Sequence, residues 1–214
     1  MELFRPYAEA GRKIVCFSIS AGMSTSGNVM RLAAEELGAS DRIKVIDSAN
    51  LSTGIGLLVV EAAIMAKNNR TASQIVSKIE KLKPNVRASF VVDTLTYLYR
   101  GGRCNAVAAM AGGVLKLHPR IVVEDGAMNA SKKYRGKIAS VVMNYVKDME
   151  KDLKKARPER VFITHSGCEQ ETVEKVRAYL KELDIFDEIL ETRAGGVVSS
   201  HCGPGTLGVL YIAK

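Results

Sequence analysis

No run of eighteen apolar residues occurs anywhere in the 214-residue sequence, so no stretch is long enough to span a bilayer as a helix. The opening Met1-Glu2-Leu3-Phe4-Arg5-Pro6-Tyr7 lacks the basic segment and apolar core of a secretory signal. A cytoplasmic location is expected, with at most peripheral membrane contact. Cysteine is scarce: Cys16, Cys104, Cys168 and Cys202 lie far apart, mostly beside apolar residues. They read as free buried thiols of a reducing compartment, not as a disulfide framework. Neither His165-Ser166-Gly167-Cys168 nor His201-Cys202 has a familiar zinc spacing, so no metal is expected. Aromatic residues make up only 6% and do not alternate with basic ones, which argues against a stacking platform for single-stranded nucleic acid. Also missing are a Gly-Lys-Ser/Thr phosphate loop, a Gly-x-Gly-x-x-Gly turn and a Gly-x-Ser-x-Gly elbow.

What is present is the composition of a globular protein, 47% hydrophobic and 25% charged, in a chain long enough to bury a substantial core. The formal charge of +8 is local in origin. Lys132, Lys133, Arg135 and Lys137 form one cluster, which reads either as an exposed basic turn or as a docking patch for an acidic partner. Lys147, Lys151, Lys154, Lys155, Arg157 and Arg160 form another, interleaved with Asp148, Glu150, Asp152 and Glu159 as on a solvated helix face.

The chain is organised around Ser18 to Gly27. An apolar strand, Lys13 to Phe17, leads in, and a helical pattern, Asn28 to Leu37, leads out toward a second strand, Ile43 to Asp47. That order is a βαβ unit of a parallel sheet, whose ligands bind beyond the carboxyl ends of the strands. Ser20, Ser24, Thr25 and Ser26, with Gly22 and Gly27, make a receptor for an anionic oxygen group at a helix N-terminus. The plainer alternative is a capped helix with Ser26 as N-cap.

Downstream, residues 55–66 predict a buried helix, apolar nearly all round, and 72–82 an amphipathic one. Residues 88–92 read as a strand, and Asp93 as the cap of a short helix, 94–99, closed by Gly101-Gly102. Residues 106–115 are small and apolar, suited to close packing. Residues 120–124 and 128–131 flank Asp125-Gly126, a strong hairpin signal. A long amphipathic helix is expected over 137–153, ended by Pro158, then a strand at 161–164 and a helix at 169–183. Strands at 185–190 and 209–213 enclose a Gly-rich loop, 194–208. The fold class is α/β, in two α/β domains, residues 1–86 and 87–214, the first a partial parallel sheet with helices and the second carrying the hairpin.

Three loops bring glycine together with a polar side chain: Ser20 to Gly27, Gly101-Gly102-Arg103, and His201 to Thr206. If they converge they suit a carboxylate or phosphate, through a serine donor, a bidentate arginine and a histidine that donates or switches with pH. Taken singly, Arg103 reads as a surface residue after a helix cap and His201 as a satisfied turn histidine.

Four stretches together resemble the DegV family of bacterial fatty-acid-binding proteins. They are Ile19 to Ser26, Val45-Ile46-Asp47-Ser48, Val92 to Leu98 running into Arg100-Gly101-Gly102-Arg103, and His201 to Gly208. Some family members serve as the lipid-carrying subunit of fatty acid kinase. The resemblance implies a two-domain α/β protein with an acyl chain in a buried tunnel and its carboxylate at the domain junction. Ser24 matches the family serine that hydrogen-bonds the carboxylate, with Ser20 as the alternative, and Arg103 and His201 match head-group residues. Gly22, Thr25, Gly102, Gly203 and Thr206 are the supporting loop residues. Lys133 and Arg135 fall where the family presents basic residues to the kinase, a separate ATP-dependent catalytic subunit. The chain would then contribute no catalytic residue and need no cofactor besides the long-chain fatty acid as ligand.

Family members also have a further N-terminal segment, with the first strands of the sheet and a hydroxyl residue on the carboxylate. Nothing in this sequence corresponds to it, so the first domain is expected to be incomplete and its sheet edge to be covered, for instance by another copy of the chain in a homo-oligomer. Two other classes compete with the carrier. One is a serine hydrolase of small acyl esters, with Ser24 as nucleophile, His201 as base and Asp47 as orienting acid. The other is a basic nucleic-acid or regulatory binding protein resting on the net charge.

Overall fold

The computed structural model describes residues 1–103 and 117–214; Cys104 and the small apolar stretch 106–115 lie outside the described residues. The chain forms two units, Met1–Pro84 with the turn Asp125–Ala127, and Asn85–Glu124 with Met128–Lys214.

The first unit runs α1 (Arg5–Glu9), β1 (Ile14–Ser18), α2 (Ser26–Glu36), β2 (Ile43–Asp47), α3 (Ser52–Lys67) and α4 (Ala72–Leu82). β1 and β2 pair in parallel from Ile14↔Ile43 to Ser18↔Asp47, the expected βαβ unit. α4 starts on a capping box between Thr71 and Gln74 and buries Ile75, Ile79 and Leu82, the stripe its spacing predicts. Two expectations fail here. Thr25, not Ser26, is the N-cap of α2, and no side chain caps that helix. α3 buries Leu57, Leu58 and Ala62 but leaves Val59 and Ile64 each 42% exposed. A two-stranded sheet offers one narrow face, too little to cover a helix that is apolar on all sides.

In the second unit, β3 (Val86–Val91), β4 (Leu117–Glu124), β5 (Ala127–Arg135), β6 (Ala156–Ser166), β7 (Ile189–Arg193) and β8 (Thr206–Ala213) form one sheet of order β5-β4-β3-β8-β6-β7. The ladders of β3 with β4 and β8, and of β6 with β8, are antiparallel, and that of β6 with β7 is parallel. The described helices are α5 (Thr96–Gly101), α6 (Ile138–Asp148), α7 (Glu150–Leu153), α8 (Gln170–Glu182) and α9 (Gly196–Cys202). The β4–β5 hairpin turns at Asp125 and Gly126, whose φ values of 49° and 75° are those of the two-residue turn that this dipeptide favours.

Several boundaries differ from the sequence reading. The helix expected over 137–153 is divided at Met149, which ends α6 and begins α7. Pro158 does not end a helix but lies inside β6, where the ladder with β8 shifts register between Ala156 and Val161. Such an irregularity tolerates the missing N–H. The strand expected at 185–190 is displaced to 189–193, and the loop 194–208 contains α9. α5 begins after Leu95, so Asp93 is not its cap. Cys202 is buried, whereas Cys16 and Cys168 are only half-buried. Burial still pushes the Cys168 thiol up to about 11, so it is not a ready nucleophile.

The core of this unit centres on Tyr145 of α6, which is fully buried among Val91, Val142, Ile163, Leu207 and Val209. Its hydroxyl donates to Ser89 O at 2.7 Å and accepts from Val209 N–H at 3.0 Å, with Ser89 Oγ also 3.0 Å away. Ser89 and Val209 are paired residues of β3 and β8. One hydroxyl therefore ties a helix to the two central strands, and burial raises its pKa above the ordinary phenol value. Tyr145→Phe is expected to cost about 1–3 kcal/mol by stranding buried backbone groups. A lower urea midpoint with unchanged far-UV circular dichroism would be the readout.

Candidate functional site

In the first unit the site is the loop between β1 and α2. Ser20 is its hub. Its N–H donates to Asn50 O at 2.9 Å, and its carbonyl accepts from Met23 N–H at 2.9 Å and Ser24 N–H at 3.1 Å. Its hydroxyl donates to Gly126 O at 2.6 Å and accepts from Gly22 N–H at 3.2 Å. With 2% of its surface exposed, Ser20 holds the loop and has no proton to spare for a ligand. Gly22 lies so close to Gly126 O that a Cβ there would sit 2.9 Å from it.

Ser24 is placed differently. Half-buried, its Oγ accepts from Ser26 N–H at 3.2 Å, and among the described residues its own proton has no acceptor. It stands one residue before the N-cap Thr25 of α2, whose first turn has no side-chain cap. A hydroxyl with a proton to donate, at the positive end of a helix dipole, suits a carboxylate oxygen.

Asp47, at the end of β2, uses its carboxylate to brace loops. It accepts from Ala49 N–H at 2.9 Å and from Ala21 N–H at 3.3 Å. That is the work of a loop anchor, and nothing in this geometry assigns it to orienting a histidine.

In the second unit the Arg103 and His201 loops come together. His201, in the last turn of α9, packs on the backbone of Gly101 at the end of α5; a Cβ on Gly101 would fall 2.2 Å from its Nδ1. Just beyond, Gly203 adopts φ +80° and lies under the ring of Tyr97, which would be 2.3 Å from any Cβ there. Both glycines are therefore required by close approach, and at Gly203 also by the backbone angle. Gly102 closes α5 in the left-handed conformation. Arg103 donates from one guanidinium nitrogen to Gly101 O at 2.7 Å and is otherwise exposed, a favourable place for a cation at a helix C-terminus. Thr206 is structural: its hydroxyl donates to Cys202 O at 2.9 Å and closes the turn after α9.

Two residues not singled out in the sequence lie close by. Tyr97 is the contact for Gly203. His118, 7% exposed at its side chain, places Nε2 3.0 Å from Gly136 O and Nδ1 3.5 Å from an Asp93 carboxylate oxygen. Its one sequence signal is a lone histidine before Pro119 in a strand, too common to point anywhere.

The basic cluster is only partly committed. Lys132 is paired with Asp148, which also accepts from the Tyr134 hydroxyl at 2.8 Å; burial and that hydrogen bond push the Tyr134 phenol well above its ordinary range. Lys133 and Arg135 are exposed and have no ion-pair partner among the described residues. Of the second basic set, Lys154, Arg157 and Arg160 pair with Glu150, Glu159 and Glu188. His165 pairs with Glu191 at 3.3 Å and accepts from Cys168 N–H at 3.4 Å, and the described residues contain no cluster of three metal-ligating side chains. No described helix is long and apolar enough to cross a membrane.

Residues 1–214 match the DegV family, described as "Uncharacterised protein, DegV family". A DegV domain-containing protein of Clostridium perfringens is 32% identical over 99% of this chain and 74% of its own. Another, of Deinococcus radiodurans, is 31% identical over 97% and 74%. Among solved structures, a fatty-acid-binding DegV family protein from Thermus thermophilus superposes with a TM-score of 0.88 at 25% identity, over 100% of this chain and 75% of its own. DegV of Bacillus subtilis, described as a fatty acid binding protein, gives 0.80 at 27% identity over 100% and 76%. A match along the whole chain, in sequence and in fold, makes this protein a member of the DegV family.

Proposed function

We propose that this protein binds a long-chain fatty acid and presents its carboxylate to a separate fatty acid kinase, itself contributing no catalytic residue. The observation that carries the reading is Ser24. It has a hydroxyl proton with no acceptor among the described residues, at the uncapped start of α2, in a chain whose relatives from Thermus thermophilus and Bacillus subtilis are described as binding fatty acids. Arg103 and His201 are proposed as the head-group residues of the second unit. Ser20, the alternative to Ser24, is left to hold the loop. Lys133 and Arg135, exposed at the end of β5, are proposed as the surface read by the kinase.

Energetics favour a lipid over a small polar acid. Each buried methylene contributes about 0.8 kcal/mol, so a tail of roughly fourteen supplies on the order of 11 kcal/mol before the costs of association. Hydrogen bonds to the charged head add about 1.5–3 kcal/mol each and chiefly fix orientation. Tail length therefore sets affinity, and the head group sets the pose.

Titration calorimetry with saturated acids of increasing length should give rising affinity; equal affinity across the series would sink the reading. Ser24→Ala should weaken acid binding about tenfold, the loss of one charge-assisted hydrogen bond, with no change in melting temperature. Ser20→Ala should do the reverse, lowering the melting temperature because it removes a buried bond that holds the loop. Arg135→Ala should leave acid binding intact and slow acyl-phosphate formation by an added kinase. If lipid binding falls instead, Arg135 belongs to the pocket.

A further inference from the structure

Of the three histidines, His165 is engaged by Glu191 and His201 packs on Gly101. His118 stands where β3 and β4 part. Their ladder runs from Ala88↔Val123 to Val91↔Arg120, and one more backbone bond follows, from Val92 N–H to Pro119 O at 3.4 Å. Beyond it the link passes to two side chains, His118 and Asp93. The ring of His118 is one proton short for its surroundings. Nε2 lies 3.0 Å from Gly136 O, and a carbonyl only accepts, so Nε2 carries the proton. In the neutral ring Nδ1 is then a bare lone pair. It is buried without a hydrogen bond and lies 3.5 Å from an oxygen of Asp93, a second acceptor. A proton placed on Nδ1 turns that opposition into a charge-assisted contact with the carboxylate.

The charged and titratable groups of the elements around the ring are Arg120 on β4 itself, Lys133, Tyr134 and Arg135 on β5 with Lys137 beyond, Tyr145, Lys147 and Asp148 on α6, and Asp93. Among the described residues Asp93 alone comes within ion-pair distance of His118. Asp148 is taken by Lys132 and Tyr134, and Arg120 lies over the ring of Tyr145. Asp93 is also where a change at His118 would be felt. It leads through Thr94 and Leu95 into α5, and a Cβ on Gly205, in the turn after α9, would meet its Cβ at 3.4 Å. Arg103 follows α5, and His201 lies on α9. On the other side of the ring, Gly136 separates Arg135 from Lys137, the N-cap of α6.

We propose that His118 is a proton-operated clamp. Its doubly protonated ring holds Asp93 and Gly136 O together and so positions the surface that Arg103 and His201 share; its neutral ring releases Asp93. Falling pH closes the clamp and rising pH opens it. His118 is thus a positioning residue, acting through Asp93 and not by touching a ligand. The clamp lies within the second unit and needs no ligand to operate, whereas its effect on acid binding rests on the fatty-acid reading.

Ring-nitrogen NMR of the labelled protein, taken from about pH 5.5 to about pH 8, tests it. His118 should carry protons on both nitrogens at the acid end and on Nε2 alone at the alkaline end, and the backbone amides of Thr94 to Leu98 should shift in step. His118→Gln keeps an N–H for Gly136 O but takes up no second proton, and Asp93→Asn keeps the shape without the charge. Both should abolish the coupled amide shifts while the far-UV circular dichroism stays unchanged. From the alkaline to the acid end, the gain in affinity for a saturated long-chain acid should be at least about threefold larger in the unmodified protein than in His118→Gln, a comparison in which the acid's own titration cancels. A lone proton on Nδ1, no change of protonation across the range, or amide shifts that survive in either variant would overturn the clamp. Equal gains in affinity would overturn its positioning role. No acid binding at all by the unmodified protein would remove the fatty-acid reading, and the spectra alone would then decide the clamp.

Discussion

The loop after β1 keeps its shape because one serine is saturated. Ser20 uses its N–H, its carbonyl and its hydroxyl to join Asn50 after β2, the turn at Gly126, and Gly22, Met23 and Ser24 of its own loop. Buried polar groups must find partners or cost stability, and here the partners are what fix the path from strand to helix. Ser24 and the start of α2 inherit their placement from that arrangement. Asp47 reinforces it from the side, so two residues with catalytic-looking side chains serve as scaffold, and Ser24 is among the loop hydroxyls whose proton has no acceptor among the described residues.

The second unit reaches comparable definition by another route. Tyr145 gives its sheet an internal polar tie, and the apolar faces of α6 and α8 close around it. The paired loops at its edge depend on the absence of side chains. His201 can approach the end of α5 only because Gly101 has no Cβ, and Tyr97 can cover the turn after α9 only because Gly203 has none. In close-packed protein even one methyl group has to be accommodated, so both glycines shape the surface that Arg103 and His201 share.

Basic residues are answered on one part of the surface and left without an ion pair on others. Of the basic residues from Lys154 to Arg160, Lys154, Arg157 and Arg160 are answered by nearby carboxylates. Lys133 and Arg135 at the end of β5, and Arg12, Lys13 and Arg70 beside β1, are not. The net charge of +8 is therefore unevenly answered over the surface.

Periodicity alone determined much of this protein. The βαβ order at 13–47, the stripe of α4, the Asp125-Gly126 turn and the apolar faces of α6 and α8 were all legible, because each depends on local spacing and turn chemistry. So were the three polar loops, since glycine beside serine, arginine or histidine is a visible pattern. What sequence could not supply was the assignment of work within those loops. Ser20 and Ser24 look alike as letters, and only the carbonyl of Gly126, more than a hundred residues away, made one a strut and left the other a free donor. The division at Met149, the strand placement of Pro158 and the helix at 196–202, which packs against α5, likewise depend on tertiary contacts. Those contacts join residues distant in the chain, and no local window contains them.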